Sequence, residues 1–110
     1  MTSTLSLETR EEGEQVRIAL EGELDLSSAL TFDEEIRRAE ERKPKTLVID
    51  LRGLKFLDST GVRLILSAHS RAKTRGHRLA IVEGGYAVQR IFRLAGVNRR
   101  LDILPAPPSV

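Results

Sequence analysis

The apolar and polar positions change period several times along the chain, and each change marks an element. Leu5 and Leu7 alternate with polar neighbours, and Val16, Ile18 and Leu20 alternate with Arg17, Ala19 and Glu21. A period of two is that of a strand with one buried face. Glu11-Glu12-Gly13-Glu14 lies between the two runs as a charged turn, so they read as a hairpin. Gly22-Glu23-Leu24-Asp25 reads as a polar break, and a helical spacing then runs from about residue 26 to 42. Its apolar stripe is Leu26, Ala29, Leu30, Ile36 and Ala39, with Asp33, Glu34, Arg37, Arg38 and Glu41 mostly outside. Asp25 or Ser27 is placed to cap this helix, and Pro44 marks its end.

Thr46 to Leu51 is aliphatic without alternation, the sign of a strand covered on both faces. A loop with Gly53 follows, and Asp58-Ser59-Thr60-Gly61 leads into a second helix that ends near Arg75. Val62, Ile65, Leu66, His69 and Ala72 share one face of it, widened by Leu64 and Ala68. Lys73 and Arg75 complement the macrodipole in the last turn, and Gly76 fits a C-terminal cap. Leu79 to Glu83 is another buried strand. Gly84-Gly85 turns the chain into a third helix, Tyr86 to Ala95, with Val88, Ile91, Phe92 and Ala95 inward. Gly96 stops it, and Leu101 to Leu104 is a last short strand. Helices between buried strands require crossover connections, hence an α/β fold: a mostly parallel, mixed sheet of four to five strands, starting with a β-hairpin, with helices packed on it.

A length of 110 residues, 40% of them apolar, allows one core without staples. The domain reads as residues 1–104, and Pro105, Pro107 and Pro108 make residues 105–110 a flexible tail. The absence of cysteine excludes disulfides, thiolate metal sites and cysteine catalysis. Apolar runs are too short for membrane insertion, and the polar N-terminus lacks a signal-peptide core, so a cytoplasmic location is expected. Charge is divided unevenly. Residues 1–61 carry nine Lys/Arg and fourteen Asp/Glu, whereas residues 62–110 carry nine against only Glu83 and Asp102. The basic half raises nucleic acid as a partner. Four aromatics without basic interleaving argue against it, so no direct nucleic-acid contact is expected.

Catalytic machinery is scarce. His69 lies on an apolar helix face and His77 in a turn, with neither carboxylate neighbours in sequence nor metal-ligand spacing; no metal or cofactor is implied. Gly84-Gly85 fits neither the dinucleotide fingerprint nor the P-loop and reads as a strand-to-helix turn. Asp50 ends a central strand, the place of a receiver-domain phosphoacceptor, but residues 78–104 contain no lysine and the first strands form a hairpin. Ser59 stands where a loop meets a helix N-terminus, where free N–H groups and the dipole favour an anion. A phosphate there would add about −1.5 to −2 charges beside Asp58. Equally, Asp58, Ser59 or Thr60 serves simply as the cap.

Residues 47–61, LVIDLRGLKFLDSTG, resemble the central strand, loop and phosphorylation motif of bacterial anti-sigma factor antagonists, which are single STAS domains. Gly22-Glu23-Leu24-Asp25-Leu26 resembles the family's other signature, and Val88, Arg90, Ile91, Leu94, Gly96 and Val97 resemble its third helix and following turn. The match covers about residues 5–104 in order. The resemblance implies a STAS-like fold and a non-enzymatic switch. A GHKL-type anti-sigma factor serine kinase would phosphorylate Ser59, a PP2C-type phosphatase would reverse it, and the unphosphorylated domain would bind the kinase and free a sigma factor. Docking would use Glu23, Leu24 and Asp25 on one loop and Asp58, Ser59, Thr60 and Gly61 on the other. One departure is the Pro-Ala-Pro-Pro run where family members commonly carry a C-terminal helix; the edge it would cover is left bare or is covered by another chain. The alternative within the fold is a STAS accessory subunit of a membrane lipid ABC transporter, docked on its ATPase without phosphorylation. An enzyme using Ser59 as nucleophile would need a base and an oxyanion partner that the sequence does not supply.

Overall fold

The structure, a computed structural model, describes residues 4–106. The hairpin forms as the alternation requires. Strand β1 (Leu5–Glu12) pairs antiparallel with β2 (Gln15–Leu24) around Gly13, with Leu7 opposite Leu20. Helix α1 (Ala29–Glu41), β3 (Thr46–Leu57), α2 (Ser59–Arg75), β4 (Arg78–Val82), α3 (Tyr86–Leu94) and β5 (Asp102–Leu104) follow. The sheet order is β1-β2-β3-β4-β5, with every pair after the hairpin parallel.

The helices all lie on one face of this sheet. Val16, Ile18, Leu20, Leu47, Ile49, Leu51, Leu79 and Ile81 share one buried cluster with Phe32 and Ile36 of α1, Val62 and Ile65 of α2, and Val88 and Phe92 of α3. The strand residues of opposite parity, Val48, Ala80 and Val82, form a second cluster that meets Leu104 and Ala106 and no helix. The expected cover on both faces of the central strand is therefore present, but the second cover is not helical. Around Val48 it is Leu104 and Ala106; around the buried Asp50 it is the side chains of Arg17 and Arg52. After Leu104 the chain stays against the sheet as far as it is described, where Ala106 N–H donates to the Glu83 carboxylate at 3.3 Å. Residues 107–110, most of the expected flexible tail, lie outside the described residues.

Several boundaries differ from the sequence reading. Strand β3 runs on to Leu57 instead of stopping at Leu51, and β2 runs through the presumed polar break to Leu24. In α1 the stripe is Phe32, Ile36 and Ala39; Leu26 and Leu30, expected inward, are 77% and 69% exposed. The helix starts at Ala29, and positions 32, 36 and 39 share a face that position 30 does not. Ala95, expected inward on α3, is the exposed C-cap. A further contact holds α1 to α2. Glu40, buried near the end of α1, accepts from Arg71 Nε at 3.0 Å to each carboxylate oxygen and from Arg75 at 3.5 Å.

Candidate functional site

The two stretches singled out in the sequence meet at the carboxyl ends of β2 and β3. These strands are parallel neighbours in register, Glu23 beside Phe56 and Leu24 beside Leu57. The Asp58 N–H then donates to the Leu24 carbonyl at 3.2 Å. Glu23 and Leu24 thus sit on the end of a strand and not in the loop expected. Strand β2 reaches this register by irregularities between Ala19 and Glu21 and between Gly22 and Glu23. Gly22 makes the second possible, at φ +98° with the place of a Cβ only 1.9 Å from the Thr4 carbonyl oxygen. No side chain fits there.

At the start of α2 the choice among three cap residues is resolved. The Asp58 side chain accepts from Thr60 N–H at 3.0 Å and from Gly61 N–H at 3.2 Å. Ser59, the first helical residue, is exposed, and among the described residues its hydroxyl makes no hydrogen bond. Thr60 is half-buried. Gly61 is buried, and a Cβ on it would lie 2.9 Å from both Cγ and Cδ2 of Leu24. Leu24 is itself fully buried. Leu24 and Gly61 therefore form the packed joint between the two motifs, while Glu23, Asp25, Asp58, Ser59 and Thr60 present the surface.

The turn from β2 into α1 is organised by Asp25. Its carboxylate accepts from Ser27 N–H at 3.0 Å, from Ser27 Oγ at 2.6 Å and from Ser28 N–H at 3.3 Å. These bonds, the Ser27 hydroxyl first, hold the Asp25 carboxyl below its ordinary pKa. The buried Ser28 donates to the Glu23 carbonyl at 3.0 Å, so this turn is rigidly joined to the strand end. The helix itself has no side-chain N-cap bond; Asp25 serves the turn ahead of it.

The remaining candidates lie apart from residues 23–25 and 58–61 in the sequence. Asp50 is held by Arg52 at 2.7 Å and Arg17 at 3.2 Å on the sheet face away from the helices. Burial opposes its ionisation, but the Arg52 side-chain and backbone donors and the charges of Arg52 and Arg17 outweigh that and keep the carboxyl below its ordinary value. Gly84 N–H is taken by the Gln89 side chain at 3.1 Å, so one donor a phosphate cradle would need is occupied. His69 is half-buried on α2 and His77 follows its C-cap Gly76.

One feature was not read from the sequence. Phe56, Tyr86 and Leu94, 46%, 76% and 71% exposed, stand around a groove of about 260 Å³ between the end of β3 and α3, backed by Leu57 and Ile91 and edged by Arg90. The inward stripe of α3, Val88, Ile91 and Phe92, leaves Tyr86 and Leu94 over, and that surplus was the available signal.

A family model described as "Mlab, STAS domain" matches residues 7–105. The chain belongs to the STAS-domain family. This STAS domain is 32% identical over 82 residues to the anti-sigma-F factor antagonist RsfB of Mycobacterium tuberculosis, covering 74% of this chain and 66% of that protein. It thus spans slightly under two thirds of that relative. In fold it is similar to an anti-sigma factor antagonist from Mycobacterium paratuberculosis, with a TM-score of 0.84, 21% identity, and 94% of this chain and 86% of that one covered. It is also similar to the anti-sigma factor antagonist SpoIIAA in its unphosphorylated form, with a TM-score of 0.79, 23% identity and coverage of 93% and 89%. SpoIIAA has also been solved in a phosphorylated form. The five-stranded mixed sheet with three helices is the STAS architecture.

Proposed function

We propose that this STAS domain is an anti-sigma factor antagonist that acts by being bound and released. Unphosphorylated, it binds a GHKL-type anti-sigma factor serine kinase and frees the sigma factor. Phosphorylation of Ser59 by that kinase ends the binding, and a PP2C-type phosphatase restores it. The curated relative named an anti-sigma-F factor antagonist and the two forms of SpoIIAA support this reading. The observation that carries it is the division of labour at the start of α2. Asp58 caps the helix, which leaves Ser59 exposed with an unengaged hydroxyl. A phosphate on Ser59 would not displace the cap, and the helix N-terminus tolerates its charge. It would bring about −1.5 to −2 charges to a surface already bearing Glu23, Asp25 and Asp58, and so oppose an acidic or apolar docking face. The switch is therefore electrostatic and steric, and the domain stays folded in both states.

The test is incubation with ATP and the candidate kinase. A mass gain of one phosphate, absent in Ser59→Ala, is expected. Lack of modification by every GHKL-type kinase of the same organism, with firm copurification of a transporter ATPase, would overturn the proposal. Membership of the STAS-domain family is equally compatible with the second reading raised by the sequence resemblance. There the domain is an accessory subunit of a membrane lipid ABC transporter, and the same surface docks on the ATPase permanently, with Ser59 unmodified.

A further inference from the structure

The surface on the other side of the β3 end has a chemistry opposite to that of Glu23, Asp25 and Asp58. Residues 84–101 contain Arg90, Arg93, Arg99 and Arg100 and no acidic residue. Arg90 edges the apolar groove and has no ion pair or hydrogen bond among the described residues. Arg93 lies over the Tyr86 ring, 5.6 Å from its centre, and adds positive charge at that rim. The groove lies next along the chain to the Ser59 turn: Phe56 and Leu57, which line it, directly precede Asp58 and Ser59. Exposed Phe56, Tyr86 and Leu94 around a concave site have the make-up of interface anchors.

We infer that this groove is the second half of the docking surface, and that it takes an apolar segment with acidic flanks on the same kinase that engages Ser59. The inference rests on the reading of Ser59 as the docking centre. The partner must then present two chemistries: an uncharged, apolar face toward Glu23, Asp25 and Ser59, and an acidic and apolar one toward Arg90 and Leu94. Such an arrangement fixes the orientation of the complex, since a partner turned around would set its acidic flank against Glu23, Asp25 and Asp58. The same charges disfavour a second copy of this chain as the occupant. A two-fold contact through the groove would bring Arg90 and Arg93 of both copies together around a small apolar centre.

The experiment measures binding of the GHKL-type kinase that binds the wild-type domain, in the presence of ADP, to Leu94→Glu, Tyr86→Ala, Arg90→Glu and Arg99→Glu, with Ser59→Asp as reference. The substituted groove side chains are exposed, so melting temperatures should stay within about 2 °C of wild type. Tyr86→Ala and Leu94→Glu are expected to weaken binding about tenfold or more. Arg90→Glu should weaken it at low salt with a gap that narrows as salt rises, and Arg99→Glu should bind as wild type. If Ser59→Asp loses affinity while Leu94→Glu and Arg90→Glu bind normally, the groove inference is refuted and the Ser59 reading stands. If the groove variants lose affinity and Ser59→Asp does not, the groove binds the kinase but the Ser59 reading has failed. Sedimentation of the free proteins supplies the last arm. A wild-type dimer dispersed by Leu94→Glu, with kinase affinity unchanged, would make a second copy the occupant and overturn the inference.

Discussion

Gly61→Ala tests whether the two motifs are mechanically one unit. The new methyl carbon would lie 2.9 Å from Leu24 Cγ and Cδ2 and 3.5 Å from Leu57 Cβ. Carbon atoms rest about 3.5–4.0 Å apart, so Leu24 or the first turn of α2 must retreat by about 0.6 Å. Leu24 and Leu57 are both fully buried, which leaves little room for this. Overpacking of this kind costs about 1–3 kcal/mol. The better helix propensity of alanine returns at most about 1 kcal/mol. A net loss of about 1–2 kcal/mol is expected, or a fall in melting temperature of roughly 5–10 °C. Urea titration followed by circular dichroism measures it. The cause is isolated by repeating the substitution on a Leu24→Ala background. Without the colliding side chain, Gly61→Ala should be neutral or stabilising. If Gly61→Ala is as stable as wild type on the native background, Leu24 yields freely, and the claim that β2 and α2 form a rigid joint is wrong.

Three further outcomes follow from the geometry. Glu40→Gln leaves Arg71 and Arg75 without their buried counter-charge and should cost about 2–4 kcal/mol in urea unfolding, with kinase binding at the far end of the sheet unaffected. Asp50 has a folded-state pKa below its ordinary value of 3.8, so its contribution is complete above that value and is lost as pH falls through the lower folded-state value. Asp50→Asn should therefore lower stability at neutral pH and flatten the acid limb of the stability curve below about pH 4. Ser59→Asp should shift the melting temperature little, because helix-dipole attraction at the N-terminus, about 0.3–1 kcal/mol, is set against repulsion from Asp58. A variant that unfolds would mean that Ser59 is structural after all.

The hairpin, the order of elements and the parallel sheet were legible because each depends on local periodicity: Val16, Ile18 and Leu20 alternate, and Val62, Ile65 and Ala72 recur at helical spacing. What escaped depends on contacts distant in sequence. Arg52, Gly53 and Lys55 look like a loop, yet they belong to β3, where Gly53 pairs with Glu21 of β2. Leu26 and Leu30 pass for core until the start of α1 is known, since moving the stripe to Phe32 reverses their direction. Glu40 looks like one more surface carboxylate, and its partner Arg71 lies 31 residues away. At the site, Asp58, Ser59 and Thr60 are all capping residue types. Composition cannot say which side chain accepts the Thr60 and Gly61 N–H groups, and that detail frees Ser59.

The most direct test of the account is the dissociation constant of the kinase for the unmodified domain and for the same domain quantitatively phosphorylated at Ser59, measured by calorimetry at matched salt. The account predicts binding weakened at least tenfold by the phosphate, with the melting temperature and circular dichroism spectrum little changed. Equal affinity of the two forms would contradict it, and would leave the surface around Ser59 as a permanent dock instead of a switch.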